Sequence, residues 1–256
     1  MNAIALQALS YARLGFSVIP LGDISILPTG AKKVIYPIKW AKYGAERATE
    51  EEIMEWFEKK KFPNIGIVTG NISHLYVLDA DTYKPSFDKK LFESFGSLAT
   101  AMQKTARGGF QYLFFYEGGA RNEVSLFKKD SGLDIRANGG MIVAPPSRVR
   151  QADGTYKSYE LVVSPEDGGI APLPSALALL FHAEKKVKKR VPDLLELKDG
   201  EGRDNALTSL CGTLCASLSS ERWPKEVYAT MIAVNKTYSP PLPITDVQRI
   251  YHSITS

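Results

Sequence analysis

The 256-residue chain has no apolar run approaching the roughly 20 residues that a membrane span requires. It also lacks an opening basic segment followed by an apolar signal core, so a cytoplasmic protein without a membrane partner is expected. Cysteine is scarce. The two present, Cys211 and Cys215, stand four apart on a leucine-bearing helical face, which predicts buried core positions. Two cysteines cannot make a four-ligand zinc site alone. A large excess of charge is missing as well, since 32 Lys+Arg against 28 Asp+Glu leave +4. That is too mild to mark a nucleic-acid binder by itself. The positive charge is nevertheless clustered, at Lys32 to Lys42, Lys59 to Lys61 and Lys185 to Arg190, and clusters permit phosphate contacts. No internal repeat and no long low-complexity tract is found.

What is present is a 44% hydrophobic chain, enough for a sizeable core, with a length that suits one large domain plus a small one. Its most telling stretch is His74 to Thr82, HLYVLDADT. In a strand, successive side chains point to opposite faces, so Asp79 and Asp81 project to the same side, close enough to share divalent cations. An Asp-x-Asp at a strand exit also suits a plain solvated turn, and the pair alone does not decide between the two.

Ile4, Ala8, Tyr11 and Ala12 make a helical stripe, and Phe16 to Leu21 reads as a buried strand. Asp23 to Lys39 is loop-like, broken by Pro28, Gly30 and Pro37. Its Lys32 and Lys33, ahead of Trp40, suit phosphates and bases, or equally a solvated loop pinned by one tryptophan. Thr49 with Glu52 predicts a capping box for a helix to about Lys60. Strands are predicted at Asn64 to Thr69, Leu75 to Asp79 and Phe110 to Tyr116, with a helix at 86 to 95. Before the third strand, Arg107-Gly108-Gly109 offers a cation beside a backbone that a ligand can approach closely, or a simple hairpin loop. In Gly132 to Ser147, Asn138-Gly139-Gly140 predicts a β-hairpin, with Asp134 and Arg136 on one face. That pair suits metal plus phosphate, or an ordinary ion pair. Tyr156 to Val163 reads as one further strand and 175 to 182 as helical. Beyond the charged connector, apolar stripes at 207 to 218, 227 to 234 and 247 to 254 predict a small helical module, its last helix capped by Thr245 with Gln248.

The order of these motifs, YARLGFSVIPL, KK then W, NIGIVTG, LDAD, TARGGFQYLF and GLDIRANGGMIVAPPS, resembles the bifunctional DNA primase-polymerase domain of plasmid and phage replication proteins, within the archaeo-eukaryotic primase superfamily. GEGRDNALTSLCGTLCASL, with VNKTYSPPLPITDVQRIYHSI, is similar to the small helical module that often follows it. The resemblance implies an α+β fold: a catalytic domain with a mixed or antiparallel sheet over residues 1–174, a helical and basic connector over 175–192, and a helical bundle over 193–256. It implies that Asp79, Asp81 and Asp134 are catalytic and hold two Mg2+ or Mn2+ ions. Arg107, Gly108, Gly109, Gln111, Arg136 and Ser147 would meet the nucleotide and its phosphates. Lys32, Lys33, Trp40 and Arg203 would meet the template or the initiating nucleotide. The family usually has a histidine where this chain has Gln111, and a glutamine donates a hydrogen bond without carrying charge.

The implied reaction is attack by a primer 3′-hydroxyl on the α-phosphate of a dNTP or NTP, on a single-stranded DNA template, between two ions about 3.5 to 4 Å apart. The basic connector and the C-terminal module are expected to help hold the first nucleotide. A replicative helicase, in the same or another chain, is the implied partner. Two rivals stand beside this reading: a decayed replication protein that only binds DNA, and a two-metal nuclease.

Overall fold

The computed structural model describes residues 1–95, 98–115, 131–174, 197–217 and 220–256. The predicted helix at 175 to 182, the connector, the Lys185 to Arg190 cluster and Leu218 lie outside them. The chain divides into two compact units, one of Met1–Phe87, Ala99–Ser125 and Gly132–Pro172, the other of Asp88–Leu98, Leu126–Ser131 and Leu173–Ser256. The fold is α+β, as the sequence predicts. No helix among the described residues is long and apolar enough to cross a membrane.

The first unit starts with the helix Ala3–Arg13, one of whose orphan N–H groups is met by the Asn2 side chain accepting from Ala5 N. Its buried face, Ala5, Ala8, Leu9 and Tyr11, packs on β1 (Ser17–Leu21). The Thr49–Glu52 capping box forms, and the helix Glu50–Met54 runs on into a π turn, Glu55–Lys59, that buries Trp56 and Phe57. Three strands, β1, β4 (Asn64–Val68) and β9 (Met141–Ala144), form one antiparallel sheet over this core. A second sheet runs β11 (Tyr156–Ser158), β10 (Arg148–Arg150), β2 (Ile24–Ile26), β3 (Lys32–Val34). The third and largest runs β12 (Glu160–Val163), β6 (Met102–Lys104), β7 (Phe110–Phe115), β5 (Leu75–Ala80), β8 (Leu133–Arg136), with β13 (Ala171–Pro172) beside β7.

Three predicted features of this unit are corrected. Asp23 to Lys39 is not loop throughout, since β2 and β3 pair antiparallel within it. Residues 132 to 147 are not a hairpin: β8 pairs antiparallel with β5, whereas β9 pairs antiparallel with β4. Residues 64–80 and 133–144 are therefore two long antiparallel partners that both cross from one sheet to another, at 69–74 and 137–140. The corners lock together, because Asn138 Oδ1 accepts from Asn71 N (2.7 Å) and Thr69 Oγ1 donates to Ala137 O (2.7 Å). Gly70 has a left-handed φ of 93°, and a Cβ there would stand 2.2 Å from Asn138 Oδ1 and 2.6 Å from its Cα. Gly70→Ala is expected to cost about 2–3 kcal/mol through strain and overpacking. Chemical denaturation reads this as a lower midpoint at unchanged slope; a parental midpoint would contradict the locked corner. Similarly, Tyr156 to Val163 is two strands in two sheets, broken at buried Tyr159, whose N–H donates to Ser147 O (2.8 Å).

In the second unit, Leu207, Leu210, Cys211 and Leu214 of the helix Arg203–Ser217 pack with Val227, Met231, Val247 and Ile250. Cys211 is buried and Cys215 partly so, as their spacing predicts. The final helix begins at Ile244 after Pro243 at the cap and has no side-chain cap bond, so Thr245 lies inside the first turn rather than before it. The helix Lys89–Ser94 groups with this unit, Lys90 Nζ donating to Thr237 O (2.8 Å).

Candidate active site

The central strand of the large sheet, β5, buries Leu75 to Leu78 completely and then delivers Asp79. A one-residue slip would turn Asp79 to the opposite face, so the apolar run fixes where the carboxylate points. Register places Gln103, Gln111, Asp79 and Asp134 in one row across β6, β7, β5 and β8. Neighbours in such a row have Cβ atoms about 4.5–5.5 Å apart and interact directly. Arg136, two residues along from Asp134, sets Nη2 3.1 Å from Asp134 Oδ2 and 3.3 Å from Asp79 Oδ2. Both alternatives raised by the sequence thus meet in one place: Arg136 forms an ion pair, and it does so with two of the three candidate acids.

Asp79 has its pKa raised, chiefly by burial and further by the charge of Asp81, against the opposing pull of Arg136, Gln111 and Lys32. Gln111 is not turned outward as a free donor. Gln103 Nε2 donates to Val143 O (2.8 Å) and to Gln111 Oε1, which leaves the Gln111 amide nitrogen to donate to Asp79. The glutamine in the histidine's place holds a carboxylate, and its own partner is a second buried glutamine that sequence reasoning did not single out.

Asp81 follows the strand, its N–H still donating to Gly132 O (2.8 Å), and its Oδ2 lies 2.6 Å from Lys84 Nζ. Lys84 went unnoticed in the sequence, although Asp-x-x-Lys is a recognisable local pair. Tyr83 and Tyr159 were missed too. Each phenol has its pKa raised, first by burial and then by the carboxylates, and each feels Arg107. Arg107 lays its guanidinium 4.7 Å from the Tyr83 ring centre and donates to Gly30 O (3.2 Å). Lys32, predicted for the template, belongs to this cluster: its Nζ donates to Tyr159 OH (3.3 Å). Although much of the residue is exposed, protein crowding around the ammonium lowers its pKa, with Asp79 and Asp81 opposing.

The other predicted residues go elsewhere or have structural duties. Gly108 adopts a left-handed φ of 94° with open space around it, but Gly109 is demanded by the fold, since a Cβ there would stand 2.7 Å from Ala80 O. Ser147 is buried, accepting from Ile65 N (2.8 Å) and donating to Ile65 O (3.3 Å), so its hydroxyl secures β4 instead of facing a phosphate. Lys33 alternates away from Lys32 and lines a separate cleft. Trp40 packs partly buried against the core, 6.3 Å from the Tyr36 ring. Arg203, in the second unit, is tied to Asp199 and to Pro240 O.

Among the described residues, no three of histidine, cysteine, aspartate and glutamate group closely enough to hold a metal ion. The donor chemistry still fits a hard divalent cation. Asp79 and Asp134 offer only oxygen, and they already share one cationic group, the guanidinium of Arg136.

The α+β unit thus gathers three partly buried acids at and beside the end of its central strand, with lysine, arginine and tyrosine around them. Residues 8–176 match the family described as bifunctional DNA primase/polymerase, N-terminal, and residues 193–256 match the family primase C terminal 1. The first match covers more than half of the chain, which therefore belongs to the bifunctional DNA primase/polymerase family, nucleotidyltransferase-type proteins of replication. No curated protein matches the chain.

Proposed function

We propose that the protein is a template-directed primase-polymerase that makes and extends primers on single-stranded DNA, in the replication of a plasmid, phage or other mobile element. The observation that carries this reading is the juxtaposition of Asp79, Asp134 and Arg136 on one sheet face, inside the region matched to the family. Asp79, Asp81 and Asp134 would hold Mg2+ or Mn2+, which would supply positive charge to the reacting phosphate and lower the pKa of the primer hydroxyl.

The chain's own residues supply the rest. Gln103 and Gln111 keep Asp79 aimed by a hydrogen-bond relay anchored on Val143 O. Arg136 neutralises the two carboxylates as they stand, and its guanidinium would be the donor placed to meet the incoming triphosphate. Lys32 and Arg107 reach the same phosphates from β3 and from the loop before β7. Lys32 thereby supplies the charge that Gln111 cannot. Lys32→Ala should raise the KM for nucleotide about tenfold or more while changing kcat much less, because charge on a bound phosphate acts in ground and transition states alike. Steady-state extension of a labelled primer measures both constants; an unchanged KM would remove Lys32 from the phosphate site.

A second reading, a DNA-binding replication module without synthesis, is favoured by one observation: the acids are occupied by the protein's own cations, Arg136 and Lys84. Extension of a primer on a single-stranded template in manganese separates the two. Growth of the labelled strand supports the polymerase, and binding without growth supports the module.

A further inference from the structure

The second sheet has a face that the candidate active site does not use. Pairing puts Lys33, Ser25, Arg150 and Tyr156 in one row across all four strands, β3, β2, β10 and β11. Arg148 stands two residues along β10 on the same face, while Val149 between them is buried in the core. This face borders a cleft of about 530 Å³, floored in part by Pro63 and Asn64. Its charged lining is Lys33, Arg148 and Arg150 against the single carboxylate of Asp23.

Those cations have little to do within the fold. Among the described residues, the side chains of Lys33 and Arg150 make no hydrogen bond or ion pair, and Arg148 rests its guanidinium 5.7 Å from the Tyr156 ring centre. Tyr156 stays 61% exposed, an unusual cost for an aromatic ring unless something covers it. Lys33 and Arg150 lie two strands apart, about 10 Å, and Arg148 is about 7 Å further along its strand from Arg150. Cations spread over such distances suit successive phosphates of a polymer better than one compact phosphate group. An exposed ring with an arginine on it suits an unpaired base, which can stack where a paired base cannot.

We propose that this face is a docking track for a single nucleic-acid strand, with Lys33, Arg148 and Arg150 on successive phosphates and a base stacked on Tyr156. The alternation of β3 makes the division of labour: Lys32 serves the acids, and Lys33 serves the strand. The track extends the primase-polymerase reading by giving the template a place to lie, and its test needs no synthesis.

The experiment is anisotropy of a fluorescent 20-nucleotide oligothymidylate with the full chain, without metal or nucleotide, over a series of salt concentrations. Arg148→Glu/Arg150→Glu should weaken binding at least tenfold. Arg148→Gln/Arg150→Gln should flatten the logarithmic salt dependence by about 1.4, at roughly 0.7 per single-strand phosphate. Tyr156→Ala should cost about tenfold on the oligonucleotide and leave binding to a duplex unchanged. Parental affinity and salt slope in both arginine variants would overturn the proposal. So would an equal loss of affinity for a fluorescent dNTP, which would make the cleft a mononucleotide site, or an equal loss on duplex. A chain that binds through this face yet makes no product refutes the polymerase and leaves the track standing; a working polymerase whose DNA affinity ignores these residues does the reverse.

Discussion

Asp79→Asn is expected to reduce nucleotide incorporation by about a hundredfold or more while leaving the melting temperature equal to or above that of the parent. The two effects have one origin. Asp79 ends an apolar strand with its side chain only 13% exposed, and its pKa is raised chiefly by that shielding from water, so the folded protein carries the carboxylate at a cost. The amide is nearly the same size and needs no counter-charge, so the fold loses little. It cannot provide the negative charge on which the proposed chemistry depends, and losing one electrostatic element of such a site typically costs 10²–10³ in rate. Loss of activity together with loss of fold would show a structural role only, and retained activity would move the site elsewhere.

Arg136→Ala should act in the opposite sense on stability. It strips the shared cation from Asp79 and Asp134, whose side chains are only 13% and 17% exposed. Removing one partner of a buried pair costs about 3–5 kcal/mol, and partial exposure here places the expected loss at roughly 3 kcal/mol, measured by denaturation in chelator. Divalent cations should then restore much of that loss, because they take the vacated place between the carboxylates and bind only the folded state. A variant whose stability ignores manganese would show that the two acids cannot share an ion. The same variant should also lose incorporation, since it would remove the donor proposed for the triphosphate.

These expectations depend on features that the sequence reveals unevenly. Local signals read true: the Thr49–Glu52 box, the buried run ahead of Asp79, and the same-face alternation of Asp134 and Arg136 all follow from the period of strand or helix. Sheet membership did not. Asn138-Gly139-Gly140 has the composition of a hairpin turn, yet its flanking strands find β5 and β4, partners 53 to 79 residues away. The alternation in Tyr156 to Val163 likewise hid the switch at Tyr159, the residue that meets Lys32. Polar partnerships across strands are equally silent in sequence. Nothing near Gln111 announces that Gln103 will claim its amide oxygen and leave its amide nitrogen for Asp79, and nothing in Ser147 reveals that Ile65 claims its hydroxyl. At Lys32 and Lys33 a single strand period sends neighbouring lysines to different surroundings, one to Tyr159 and one to a cleft, a distinction that a basic cluster read as composition cannot make.

The most direct measurement is primer synthesis on an unprimed single-stranded template with manganese, deoxynucleotides and ribonucleotides being offered separately to the parent chain and to Asp79→Asn. The account predicts new labelled strands that require added nucleotide, a template that stays intact, and no product from the variant. Shortening of the template, product that persists in Asp79→Asn, or bound template without any product would contradict it.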